Sequence, residues 1–209
     1  MKHRALGGIL LTSNEKGSDT DTGRNIIIQN VVATVDLGVK IKMEQAASRL
    51  PAKASVSYIP EQFPGIVVKI KEPKVSILVF GSGKMVVTGA KSREMIKAAV
   101  DVVVGLLRDA GASAKTSKAP KITVQNVVAS GGLGCRINLE LAALLMDNAM
   151  YEPEQFPGLI YRMTNPKAVF LLFQSGNLVC TGAKKEDDVY TAIDKVRGVL
   201  EEIDALEEV

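Results

Sequence analysis

The 209-residue chain predicts an α+β fold in which two pseudo-symmetric repeats build one antiparallel β-sheet, with the helices gathered on one face. Three observations predict it. The sequence repeats itself across nearly its whole folded length. Each copy runs strand, short helix, three strands, long helix. The strands are apolar on both faces, yet each copy carries helical cover for one face only.

Sliding the chain against itself by 93 residues aligns YIPEQFPGIVVKIKEPKVSILVFGSGKMVVTGAK (58–91) with YEPEQFPGLIYRMTNPKAVFLLFQSGNLVCTGAK (151–184). The two share 18 identities in 34 positions without a gap. Upstream, IQNVVATVDLG (28–38) matches VQNVVASGGLG (124–134) at an offset of 96. The difference of three residues places an insertion in the first copy, within AASRLPAKASVS (46–57). A repeat covering roughly 26–110 and 121–204 is a duplicated domain. The chain accordingly divides into a flexible polar tail (1–25), a first repeat (26–117) and a second repeat with a short acidic end (118–209).

Each element follows from local pattern. IIIQNVVATV (26–35) is β-branched, which predicts a strand. MEQAASRL (43–50) and LELAALLM (139–146) have the spacing of short helices. VVKIK, KVSILVF and KMVVTGA are three further strands, separated by EPK and GSGK. The second copy has NPK and QSGN there, and Gly/Ser pairs between apolar runs are hairpin chemistry. A longer helix closes each copy. Ile96, Val100, Val103 and Leu107 recur along one helical face, as do Val189, Ile193, Val196 and Leu200. Ser92 stands where an N-cap belongs, and Glu186, Asp187 and Asp188 open the second long helix, where acidic side chains are favoured.

Composition excludes several classes. At 46% hydrophobic and 23% charged residues the chain can bury a core. No run approaches the roughly 20 apolar residues of a membrane helix, so no membrane association is expected. The apolar start Ala5–Leu11 is short, broken by Gly7 and Gly8, and followed by no cleavage-type site. Cys135 and Cys180 with a single histidine, His3, cannot assemble a four-ligand zinc site, so no metal and no cofactor is expected. Two reduced thiols are favoured over a disulfide. GSGK (81–84) and GAKS (89–92) each lack a glycine that a GxxxxGK[ST] phosphate loop needs. With no carboxylate pair, Ser/His or Cys/His set, the chain is not expected to be an enzyme. The formal net charge of +3 hides a split. Residues 26–117 hold 13 Lys+Arg against 7 Asp+Glu, and residues 118–209 hold 9 against 13, so the halves are expected to face different partners.

Strand parity then singles out a surface. In VSILVF, Val75, Ile77 and Val79 can pack beneath helices, while Ser76, Leu78 and Phe80 point the other way. In KMVVTGA, Met85 and Val87 take the first direction and Val86 and Thr88 the second; Asn30 and Val32 share a parity in the opening strand. Nothing in the sequence covers the second face, unless an undetected sandwich or a self-dimer hides it. An uncovered surface of Leu, Val, Thr and Phe marks a binding face. Its centre carries one Asn per repeat, and Lys69, Lys84, Lys91, Arg162 and Lys184 lie further out. Such a surface suits the minor groove of A·T-rich DNA, whose floor presents only acceptors and admits aliphatic side chains. The outer cations would meet phosphates. Phe170, Cys180, Tyr58 and Tyr151 are expected to pack in or against the core.

QNVV, EQFPG and the F-x-SG-x₄-TGAK run, in this order in both copies, resemble the TATA-box-binding protein family over roughly 26–204. EQFPG in both repeats and the acidic end EEIDALEEV resemble its archaeal branch. The resemblance implies a highly curved saddle of about ten strands with four helices on its convex face and DNA on the concave one. It implies that Phe63 with Phe80, and Phe156 with Phe173, wedge between base steps, a behaviour for which this family is itself a standing example. It assigns the groove floor to Asn30, Val32, Leu78, Val86 and Thr88, and to Asn126, Val128, Leu171, Val179 and Thr181. Lys69, Lys84, Lys91, Arg162 and Lys184 fall at phosphate-facing positions. Glu152 and Glu154 match the acidic patch that receives the B-type general transcription factor, with RNA polymerase engaged indirectly. The implied function is promoter recognition in the cytoplasm or nucleoid of an archaeal cell, or in the nucleus of a eukaryotic one. A homodimer through the apolar face is a further expectation for the DNA-free protein.

Two positions depart from the pattern. Gln62 stands where eukaryotic members carry an arginine, and Asn177 replaces the lysine of SGK, so each removes a phosphate contact. These departures and the acidic second half leave open an alternative: a divergent scaffold of the same fold whose concave face or stirrups mainly bind proteins. A saddle domain from a nucleic-acid repair enzyme is disfavoured by the missing catalytic set.

Overall fold

A computed structural model describes residues 25–50, 54–113 and 119–208. The tail expected over 1–25 lies outside them except for Asn25, as do residues 51–53 of the insertion and the expected repeat boundary at 117/118. The first repeat comprises β1 (Ile27–Asp36), α1 (Met43–Arg49), β2 (Ala54–Ser57), β3 (Gly65–Ile70), β4 (Val75–Phe80), β5 (Lys84–Ala90) and α2 (Arg93–Asp109). The second comprises β6 (Lys121–Gly132), β7 (Arg136–Ile137), α3 (Leu139–Leu145), β8 (Ala149–Met150), β9 (Leu159–Met163), β10 (Ala168–Leu172), β11 (Asn177–Ala183), α4 (Glu186–Glu202) and β12 (Leu206–Glu207).

Ten of these strands form one open antiparallel sheet in the order β2-β3-β4-β5-β1-β6-β11-β10-β9-β8. The order reads the same from either end once the repeats are exchanged, so the duplication in sequence is a two-fold in space. β1 and β6 lie side by side at the centre, from Ile27↔Ser130 to Asp36↔Lys121, and fuse the halves into a single curved saddle. The insertion falls where the offsets place it. α1 and α3 match at 96, β4 and β10 at 93, and between them β2 has four residues where β8 has two.

The core occupies the helix side. Val75, Ile77, Val79, Met85 and Val87 are buried, as are Ile96, Val100, Val103, Leu107, Val189, Ile193, Val196 and Leu200 on the long helices. Each such side chain contributes about 1.5–3 kcal/mol by leaving water. No polar or charged residue is buried among the described residues. Ser92 caps α2 by accepting the Met95 N–H at 3.2 Å; α4 has no side-chain cap and opens on Glu186, Asp187 and Asp188. Phe170 is fully buried and stacks on Tyr161 with centroids 6.3 Å apart. Tyr58 and Tyr151 pack against the core. Burial pushes the Cys180 thiol up to about 12.

Four elements, β2, β7, β8 and β12, had no sequence signal. β2 and β8 are edge strands too short to show alternation. The acidic end is more than an appendage: Leu206–Glu207 pairs with Arg136–Ile137, and the Asn138 N–H donates to the buried Ala205 carbonyl at 2.9 Å. The first repeat has the same closure, with Ile41 bridging Ser113 and Lys42 N–H donating to Ala112 at 2.9 Å.

Candidate nucleic-acid interface

Directly opposed residues of an antiparallel pair share a face, so register draws the uncovered surface in rows. One row runs Val67–Leu78–Val86–Thr34–Thr123 and its counterpart Ile160–Leu171–Val179–Ser130–Ile27. At the centre Asn30 faces Val128 and Val32 faces Asn126. Further rows are Lys69–Ser76–Thr88 and Arg162–Val169–Thr181. All ten residues expected on the groove floor are half-buried, and on β4, β5, β10 and β11 they alternate with buried neighbours that face the helices.

The two asparagines are held identically. Beyond Thr88 and Thr181 the chain passes through Gly89 and Gly182, at φ +90 and +92, and the β5–β1 and β11–β6 registers shift there. Such a bulge frees a backbone N–H from the ladder. Asn30 Oδ1 accepts the Gly89 N–H at 2.7 Å, and Asn126 Oδ1 accepts that of Gly182 at 2.7 Å. Each Nδ2 donates to a threonine hydroxyl, Thr88 at 3.2 Å and Thr181 at 3.1 Å. A backbone N–H can only donate, so it fixes which way each carboxamide points. What each Asn–Thr pair then offers outward is a donor, the second Nδ2 hydrogen; the Thr88 and Thr181 hydroxyls lie within donating reach of the asparagine Oδ1 atoms, at 3.5 and 3.3 Å. Gln29 and Gln125 tie the central strands together through Ser130 at 2.8 Å and Thr34 at 2.9 Å.

The phenylalanines pair as the repeat predicts. Phe63 and Phe80 meet edge to face with centroids 5.7 Å apart, and Phe156 and Phe173 at 5.9 Å. EQFPG is the device that holds them. Gln62 and Phe63 N–H groups both donate to the Ile59 carbonyl, as Gln155 and Phe156 do to Glu152, closing a tight turn. The following glycine lies under the rings: a Cβ on Gly65 would stand 2.6 Å from Phe63, and one on Gly158 would stand 2.7 Å from Phe156. Phe63 is 36% exposed, so these rings are not buried as core aromatics are.

The expected cations separate into two groups. Lys69 and Arg162 stand in the rows above, and Lys84 begins a charged row, Lys84–Asp36–Lys121. Lys91 and Lys184 lie off the strands, at the junctions into α2 and α4; Lys184 lines a cleft of about 330 Å³ with Arg93, Glu94 and Asp187, between the helix N-termini. Glu152 and Glu154 are exposed on the second turn, where the first has Ile59 and Glu61. Asp36, Lys121, Thr34 and Thr123 were missed by sequence reasoning, although Thr34 shares the parity that exposes Val32. They line a cavity of about 530 Å³ beside Phe80. The matching cavity beside Phe173, about 750 Å³, is lined instead by Asn25, Ser130, Gly132 and Asn177. The cavity beside Phe80 is therefore charged and the one beside Phe173 neutral.

A family model described as transcription factor TFIID (or TATA-binding protein, TBP) matches residues 25–110 and 121–203. The TATA-box-binding protein of Pyrobaculum aerophilum is 50% identical over 184 residues, 88% of this chain and 90% of that protein. The TATA-box-binding protein of Thermococcus celer is 48% identical over 181 residues, 87% of this chain and 93% of its own length. Among solved structures, Methanococcus jannaschii TBP superposes with a TM-score of 0.77 at 44% identity, covering 85% of this chain and 98% of that one.

Proposed function

The chain belongs to the transcription factor TFIID (TATA-binding protein) family, since the family model spans both repeats, and from that premise we propose that this TATA-box-binding transcription factor grips the minor groove of an A·T-rich promoter element and bends it. It is a DNA-binding protein and not an enzyme. One observation carries the finer reading. The uncovered face presents donors at its centre, aliphatic side chains around them, and a Phe pair at each end.

The chemistry runs as follows. A·T pairs show only adenine N3 and thymine O2 acceptors in the minor groove, whereas G·C adds an N2 donor. Donors from Asn30–Thr88 and Asn126–Thr181 are satisfied by the former and left facing a donor by the latter. Val32, Leu78 and Val86, with Val128, Leu171 and Val179, exclude water from the floor. Phe63–Phe80 and Phe156–Phe173 insert at the two ends, and the cost of unstacking is least at flexible TA-type steps. Lys69, Lys84, Arg162 and, at the margins, Lys91 and Lys184 neutralise phosphates and make affinity fall with salt. Glu152 and Glu154 would receive a B-type general transcription factor, which brings in RNA polymerase. The free protein would dimerise through its apolar face, and the site of action would be the nucleoid of an archaeal cell.

Fluorescence energy transfer between the ends of a duplex tests the proposal. A TATA-containing duplex should shorten end to end on binding, while a G·C-rich one should not. Phe80→Ala with Phe173→Ala should remove most of the shortening while the circular dichroism stays native. Equal binding to both duplexes, or tight binding without a bend, would refute it.

A further inference from the structure

We propose that the solvent side of α3 in the second repeat forms a docking site, away from the DNA face, for a basic amphipathic helix of a partner protein. Two of the eight large apolar side chains exposed among the described residues are neighbours on α3: Leu144 at 79% and Leu145 at 53%. Leu141, one turn before Leu145, extends the patch and is half-buried. The opposite side of α3 is the one the fold uses, with Leu139 and Ala142 buried.

The first repeat is an internal control. At the positions of Leu141, Leu144 and Leu145 it carries Gln45, Ser48 and Arg49, on a helix of the same seven residues. Gln45 there donates to the Ala110 carbonyl at 3.1 Å, and Ser48 and Arg49 are exposed. The same fold is therefore built without apolar residues on this side of the helix. Exposed leucines cost solubility and give the isolated chain nothing, so their presence in one repeat only points to an occupant.

Charge narrows what the occupant is. Exposed carboxylates flank these leucines: Glu140 one turn before Leu144, and Asp147 in the turn after the helix. The nearest cation in the flanking strand, Arg136, stands opposite Glu207 in the β7–β12 register. In the first repeat Glu44 matches Glu140, but Lys42 and Arg49 stand at the positions of Asn138 and Leu145. An apolar patch in an acidic frame fits a helix with a leucine-type stripe flanked by Lys or Arg. A partner held here leaves the Asn–Thr pairs and Phe rings free, so docking and DNA binding can occur together, and the proposal stands whether or not the DNA reading does.

The test uses the full chain with labelled Leu and Met methyl groups, titrated with two synthetic helical peptides. Both carry the same leucine stripe; one has Lys and the other Glu on its flanks. The basic peptide should shift the Leu144 and Leu145 methyls saturably, at least tenfold more tightly than the acidic one, and more weakly as salt rises. Leu144→Ser with Leu145→Arg, the residues of the first repeat, should abolish the shifts while thermal melting and binding to TATA-containing DNA stay unchanged. No shifts at these methyls, or equal affinity for both peptides, overturns the proposal. So does a concentration-dependent rise in sedimenting mass that the double variant removes, because the occupant would then be a second copy.

Discussion

Asn126→Asp separates the chemistry of the DNA face from the stability of the fold, because it changes one nitrogen into one oxygen. In the native chain Asn126 Oδ1 accepts the Gly182 N–H at 2.7 Å and Nδ2 donates to Thr181 at 3.1 Å. An aspartate keeps the first bond, now charge-assisted, and turns the second around, with the threonine hydroxyl donating inward. Melting should therefore move little, by the equivalent of about 1 kcal/mol or less. Outward, the Nδ2 donor disappears and an anionic oxygen faces acceptors on the groove floor. One lost hydrogen bond at about 1 kcal/mol, plus about 1–3 kcal/mol for opposed unpaired acceptors, gives about 2–4 kcal/mol. That corresponds to roughly 30- to 10³-fold weaker binding. Fluorescence anisotropy with one A·T-rich duplex at fixed salt measures it, with circular dichroism as the check on folding. Thr181→Val, which removes the hydroxyl that accepts from Asn126 Nδ2, should cost about tenfold. Affinity within threefold of wild type for a folded Asn126→Asp protein would refute the donor argument.

The remaining predictions concern the scaffold. Gly83→Ala and Gly176→Ala should each destabilise by about 1–3 kcal/mol in thermal melts, because these residues hold φ of +84 and +83 and a Cβ would collide with the Val39 or Cys135 carbonyl. Gly105→Ala and Gly198→Ala, inside α2 and α4 with open space around the added carbon, should instead stabilise by about 0.5–1 kcal/mol. The Cys180 thiol titrates at about 12 in the fold against an ordinary 9.0, so its contribution is intact below pH 9 and declines as pH rises toward 12. Urea midpoints should therefore fall more steeply between pH 8.5 and 10.5, conditions on the order of that window, for wild type than for Cys180→Ala, by at most about 1.4 kcal/mol per pH unit. A thiol reagent should modify half-buried Cys135 in the native protein and reach Cys180 only after denaturation.

Much of the site was legible because strand geometry is local. Side chains alternate whatever the partner strand is, so VSILVF and KMVVTGA sort their residues between faces before any pairing is known. The repeat then doubles every inference: two EQFPG turns imply two Phe pairs, and two QNVV strands imply two central amides. What stayed hidden depends on pairing between distant residues. Asp36 and Lys121 become neighbours only through the β1–β6 register. β12 exists only because Arg136–Ile137 is there to receive it. Gly89 and Gly182 looked like parts of a TGAK motif, whereas their N–H groups are what orient the asparagines.

The sequence by itself determined that the protein is a duplicated α+β domain, which face of its sheet lacks cover, and which Phe, Asn, Val and Thr residues stand on that face. Periodicity and repetition suffice for that, since both are read along the chain. Only the tertiary structure decided that the two copies join edge to edge through β1 and β6, that each carboxamide turns its oxygen inward and its nitrogen outward, and that the leucines of α3 stay in solvent. These outcomes rest on contacts across some fifty to a hundred residues, such as Asn126 to Gly182 and Ile27 to Ser130. The free energy of such contacts depends on how the whole sheet closes, which no short window of sequence contains.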